Sequence, residues 1–197
     1  MKIWIEGNGS FGTFLKDMFS QHGSPFVIDP TASTVILAVP ISAYRQVALG
    51  VVRNLGRTHL LVNVCSVQKP SGDILDKITL NVTGIHPLFG ARTPPDRRHA
   101  IVTRRCHAVQ EDEFLEKFGR FCSLVSEMTP KDHDKVMAKT HLAAVRAAQL
   151  LRPFIKDAED VPNHLVPNSF RLMRDFVKTL DDMPKGTLES IMANEES

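Results

Sequence analysis

The 197-residue sequence lacks any apolar run near the roughly 20 residues of a membrane span. It holds only three cysteines, Cys65, Cys106 and Cys122, at irregular spacing. An odd, scattered set excludes a disulfide framework and a zinc-ligand pattern, and fits reduced thiols in a cytoplasm. An excess of one charge sign is also missing: 24 Lys and Arg face 22 Asp and Glu, a net charge of +2. That balance gives no electrostatic case for nucleic acid. The local group Arg97, Arg98, Arg104 and Arg105 reads as a solvated loop and strand end. The start, MKIWIEG, does not read as a signal peptide, because charge and glycine follow its short apolar run at once. There is no internal repeat and no low-complexity segment. What is present is a globular composition, 43% hydrophobic and 23% charged residues, enough for a real core.

The apolar pattern alternates between two types. KIWIE (2–6) reads as a first strand. In residues 10–23, Phe11, Phe14, Leu15, Met18 and Phe19 recur at helical spacing, and Gly23 offers a stop. Residues 25–29 and 33–40 are continuous apolar runs, as parallel strands covered on both faces require. Residues 41–56 predict a helix, 58–66 a buried strand and 70–77 a short helix. Strands follow at 78–86 and 99–105, and 111–125 is mostly helical. This alternation predicts a doubly wound α/β domain over residues 1–128. Residues 129–197 show helices only, one rich in alanine, a second near 168–182 and a third near 187–194. That tail is thin for an independent core and must pack on the first domain, on a partner chain, or on both.

The chemistry concentrates in a few stretches. GNGSFG places Gly7, Gly9 and Gly12 between the first strand and its helix, with Asn8, Ser10 and Phe11 among them. Such glycines permit a tight turn and let the backbone approach a pyrophosphate at a helix N-terminus. Asp29 ends the second strand 20 residues after Gly9, where an acid would hold ribose hydroxyls and select NAD over NADP. The alternative is a glycine turn with no ligand. Two details are odd. Glu6 sets a carboxylate beside the loop, and the link from Asp29 to the next strand is too short for a helix.

Ser66 and His86 both close strands, and strand carboxyl ends line the ligand crevice of this architecture. Ser66 alone would equally cap the following helix. Lys69 alone reads as a solvated side chain. A histidine of near-neutral pKa can take a hydroxyl proton while hydride leaves the same carbon; a hydrogen-bonded core histidine is the plain alternative. His133 and His141, in DHDKVMAKTHL, are eight residues apart, or about 80° around a helix. They could face one cleft, although each in isolation fits a surface or capping role. Their spacing is not that of a helical metal pair, and no metal is expected.

Taken together, these residues resemble the prephenate/arogenate dehydrogenase family of tyrosine biosynthesis. The matching stretches are GNGSFG, VILAVP, CSVQKP, GIHPLFGA and DHDKVMAKTHL, with fainter matches at SFRLMRDFVKTL and LESIMAN. They keep the family's order and span nearly the whole chain, and HPLFG is the most specific. The resemblance implies a Rossmann-type NAD-binding domain, a short helical substrate and dimerisation domain, and a cytoplasmic homodimer. It implies a phosphate loop at Gly7–Gly12, with Val39 and Pro40 also beside the cofactor. It implies that His86 accepts a hydrogen bond from the C4 hydroxyl of prephenate, that Ser66 assists, and that His141, Lys69 and Arg171 help bind substrate.

Departures from the family are visible too. The helical domain is shorter than usual. Where a second arginine is expected, Thr179 stands next to Lys178, and the lysine of the family's SVK is Gln68 here, with Lys69 adjacent. A dianionic substrate needs strong cationic partners. Two alternatives therefore stand beside prephenate or arogenate oxidation: a dehydrogenase for a smaller hydroxy acid, and a non-catalytic dinucleotide-binding relative.

Overall fold

The computed structural model describes residues 1–55, 58–183 and 185–192. Seven strands form one sheet in the order β2-β1-β3-β4-β5-β6-β7. They are β1 (Lys2–Glu6), β2 (Val27–Ile28), β3 (Thr34–Leu37), β4 (Leu60–Asn63), β5 (Val82–Pro87), β6 (His99–Arg104) and β7 (Leu124–Glu127). The first five are parallel, whereas β6 runs antiparallel to β5 and β7 runs parallel to β6. The helices between them are α1 (Ser10–Phe19), α2 (Tyr44–Leu55), α3 (Gln68–Asp76) and α4 (Val109–Gly119). This is a Rossmann-type α/β fold, with the predicted gap between β2 and β3 where no helix fits.

The central strands β3 and β4 are buried at every residue because alternate residues serve two cores. Ile36, Leu60 and Val62 join Leu15, Phe19, Phe114 and Phe118 on the face covered by α1 and α4. Val35, Leu37 and Leu61 join Tyr44, Ala48 and Leu75 on the face covered by α2 and α3. All three free cysteines lie in or against these cores.

Two details depart from expectation. Residues 111–125 are mostly helical as expected, but α4 ends at Gly119, and the unforeseen edge strand β7 takes up Leu124–Glu127. Leu124 and Val125 are 52% and 41% exposed, so no burial alternation marks the strand. The sheet is also not wholly parallel: β6 runs against β5, yet Ala100–Thr103 are buried on both faces, so its sequence reads like that of a covered parallel strand.

The tail begins with α5 (Pro130–Met137), capped by Thr129, whose hydroxyl accepts from the Asp132 N–H at 3.1 Å. A π turn (Ala138–Leu142) joins α5 to α6 (Ala143–Lys156), and α7 (Asn168–Asp181) and α8 (Lys185–Met192) follow. The third predicted tail helix thus starts two residues early, and its last positions, 193 and 194, lie outside the described residues. The tail's own cores are small, Leu142, Val145 and Ile191 in one and Ala148, Val177 and Leu180 in the other. It does pack back on the sheet domain, α5 against α3 and β6, and Gly186 of α8 against Pro40. No helix among the described residues is long and apolar enough to cross a membrane.

Candidate active site

Gly7 has φ +129°, and a Cβ there would collide with the Ala38 carbonyl oxygen. A Cβ at Gly12 would collide with the Gly7 carbonyl oxygen. Gly9 is different: nothing lies within 4 Å of its Cβ position. Two glycines are thus required by the chain's own backbone, and the third borders open space. Gly9 is also the N-cap of α1, with no capping side chain and no acid in the first turn. The N–H groups of Ser10, Phe11 and Gly12 have no acceptor within the helix, so this end fits a phosphate. Lys16 adds positive charge, its Nζ donating to Asn8 Oδ1 at 2.7 Å and to the Gly7 carbonyl at 3.1 Å.

The groups around this loop are settled by local partners. Glu6 accepts a 2.9 Å hydrogen bond from the Trp4 indole, which holds the carboxylate. Val39 packs half-buried against Gly7, and exposed Pro40 opens a 3-10 turn, Ile41–Ala43. Asp29 pairs with Lys2 at 2.7 Å and accepts from the Thr31 N–H and hydroxyl at 2.8 and 2.6 Å. Lys2 foremost, then Thr31, hold its carboxyl well below the usual carboxylate range. A ribose bound there would share this carboxylate with Lys2.

His86 is the next-to-last residue of β5 and is 4% exposed. Its Nδ1 lies 2.8 Å from Nε2 of His133, which is fully buried on α5. The other His133 nitrogen, Nδ1, lies 2.7 Å from Asp134 Oδ1. Asp134 in turn accepts the backbone N–H groups of Gln68 and Lys69, each at 2.8 Å. His141, half-buried on the π turn, places its ring 6.4 Å from that of His86 and nearly parallel to it. Burial first, then His133 and His141, push the His86 pKa well below 6.5. Burial lowers that of His141 as well. Among the described residues, no group bonds to His86 Nε2.

Ser66 lies half-buried in the turn before α3. It is not that helix's cap: Asp134 satisfies the first N–H groups from far along the chain. Lys69 is exposed and pairs with Asp73 of its own helix at 2.6 Å. Arg171 donates to the Asn163 carbonyl at 2.7 Å. Gln68, at the lysine position, is buried; its amide donates to the Cys65 carbonyl at 2.6 Å and accepts from Thr103 at 2.6 Å. Thr179 turns its hydroxyl onto the Asp175 carbonyl. Residue-by-residue reasoning missed the His133–Asp134 pair, since a lone helical histidine fits the surface as well. The one signal was the adjacency of an imidazole and a carboxylate at the start of a helix. Among the described residues no group of three or more His, Cys, Asp or Glu is arranged to hold a metal.

A glycine cradle at the β1–α1 turn and a buried histidine cluster near the end of β5 stand at strand carboxyl ends of a Rossmann-type fold. No protein-family model and no curated protein matches the sequence. Solved structures do match. Prephenate dehydrogenase from Aquifex aeolicus, in complex with hydroxyphenyl propionate and NAD+, superimposes with a TM-score of 0.70 at 18% identity, over 99% of this chain and 83% of that one. Arogenate dehydrogenase from Synechocystis matches with a TM-score of 0.61 at 17% identity, over 100% of this chain and 84% of the other. At these identities the likeness is one of fold, and it extends through the helical tail.

Proposed function

We propose that this protein is an NAD-dependent oxidoreductase that oxidatively decarboxylates prephenate or arogenate, with residues 1–128 binding the cofactor and 129–197 completing the substrate site. The observation that carries this is His86: a buried imidazole with one nitrogen held by His133 and the other without a partner among the described residues. A buried polar atom left unpaired is costly, and a substrate hydroxyl would satisfy it. The fold likeness to an enzyme bound to hydroxyphenyl propionate and NAD+ supports the substrate class.

The glycine cradle fits the cofactor. Gly9 and the first N–H groups of α1 would hold the pyrophosphate, with Lys16 beside them and Val39 and Pro40 flanking. Asp29 favours NAD, since a 2′-phosphate would meet its charge. When bound, NAD supplies the two-electron acceptor. His86 Nε2 accepts the C4 hydroxyl proton as that carbon is oxidised. The ring carboxylate leaves as CO2, and its bonding electrons complete the aromatic ring. The proton then returns to the phenolate oxygen. Ser66 and His141 orient the substrate, and Arg171 and Lys69 serve its carboxylates by leaving Asn163 and Asp73. A homodimer through the helical tail completes the proposal: Leu150, Phe154 and Leu172 are 73%, 63% and 62% exposed there.

Purified protein with NAD and prephenate, then arogenate, followed at 340 nm, tests this directly. NADH formation with either is the expected result; none with either at saturating NAD refutes it. The engagement of Lys69 and Arg171 by local acceptors favours one second reading, oxidation of a smaller hydroxy acid that needs fewer cations. Turnover of such an acid in preference to prephenate would establish it.

A further inference from the structure

We infer that His133 and Asp134 act as a positioning relay that keeps the proton of neutral His86 on Nδ1 and so leaves Nε2 as the bare, proton-accepting nitrogen. This deepens the functional proposal and rests on His86 being its base. An ionised carboxylate only accepts, so His133 must donate to it through Nδ1. A neutral His133 then has a lone pair on Nε2. His86 Nδ1, 2.8 Å away, must be the donor of that contact. The remaining nitrogen of His86 has no hydrogen, and it is the one that no described group occupies. The competing arrangement is an imidazolium His133 donating at both nitrogens. It would put the His86 proton on Nε2 and leave no base facing the substrate. Asp134 also accepts two backbone N–H groups at the start of α3, which fixes where its Oδ1 meets the His133 ring.

The relay also serves the charged state. When His86 takes a proton at Nε2, its Nδ1–H still faces a lone pair, and the carboxylate lies one ring further on. The positive charge is stabilised without a second buried cation in contact. His141 faces His86 from the π turn, and the buried Cys65 thiol, raised by burial, senses Asp134 from the turn after β4.

Nitrogen-15 NMR of the ligand-free protein decides the point without reference to turnover. The expected His86 spectrum has a protonated Nδ1 and a bare Nε2. A protonated Nε2 in the neutral ring overturns the inference, whatever the enzyme assays show. The variant Asp134→Asn keeps an acceptor for the α3 backbone. It should lose the Nδ1 preference and drop kcat by about 10²- to 10⁴-fold. KM and the NAD dissociation constant should stay within about twofold, and the acid limb of the kcat/KM profile should move to lower pH. An unchanged tautomer with unchanged kcat would also overturn it. Absence of any turnover with the tautomer as expected would instead fault the substrate assignment and leave the relay standing.

Discussion

His86 carries opposing demands. The proposed role as a base needs an unprotonated ring at working pH, and burial, then His133 and His141, favour that form by depressing its pKa well below 6.5. The kcat/KM profile should therefore be flat through neutrality and fall only well below pH 6.5, which a pH series with prephenate will show. The same shift acts on stability. The unfolded chain binds the proton near 6.5 and the folded one resists it, so stability is full above pH 6.5 and declines as pH falls toward the folded value. Thermal melts between pH 7 and pH 5 should show a falling Tm, with a smaller fall in His86→Asn. That variant should also lose turnover by about 10²- to 10⁴-fold while binding NAD normally. Retained turnover would remove His86 from the chemistry.

At the scale of elements, the three loop glycines make separable predictions. Gly7→Ala forces a side chain onto the Ala38 carbonyl at a positive φ, so it should unfold the loop and lower Tm. Gly9→Ala meets no protein atom and has an ordinary φ of −70°. Its Tm should hold, while NAD affinity, read by calorimetry, should fall at least about tenfold, or ~1.4 kcal/mol. Equal loss of Tm in both would deny Gly9 a ligand-facing role. Thr129→Ala removes the α5 cap and should cost about 1 kcal/mol in denaturant melts. Most elements were legible because their apolar periods differ so sharply: β3 and β4 are buried at every residue, and α1 buries one stripe. The edge strand β7 was not, because its apolar residues face solvent. The π turn was not legible either. Periodicity assumes 100° per residue, and five residues at a wider turn shift the phase of everything after Met137.

For the whole molecule, the exposed apolar face of α6 and α7 predicts self-association. Phe154→Asp with Leu150→Asp should convert a dimer into a monomer by light scattering; a wild-type monomer at all concentrations would exclude the dimer. The site itself was half legible. His86 and the glycine loop stand in local contexts that sequence shows. The His133–Asp134 pair became visible only when α5 docked on α3, since nothing local says where a helix face will land. That docking sets a kinetic consequence. Hydrogen bonds tie His86 to a residue 47 positions away, and Gln68 and Lys69 to one 66 and 65 positions away. Contacts of such long range close late, because loop entropy is lost before they form. In refolding from denaturant, helical circular dichroism should return first, and the capacity to turn over substrate should follow as a separate, slower phase.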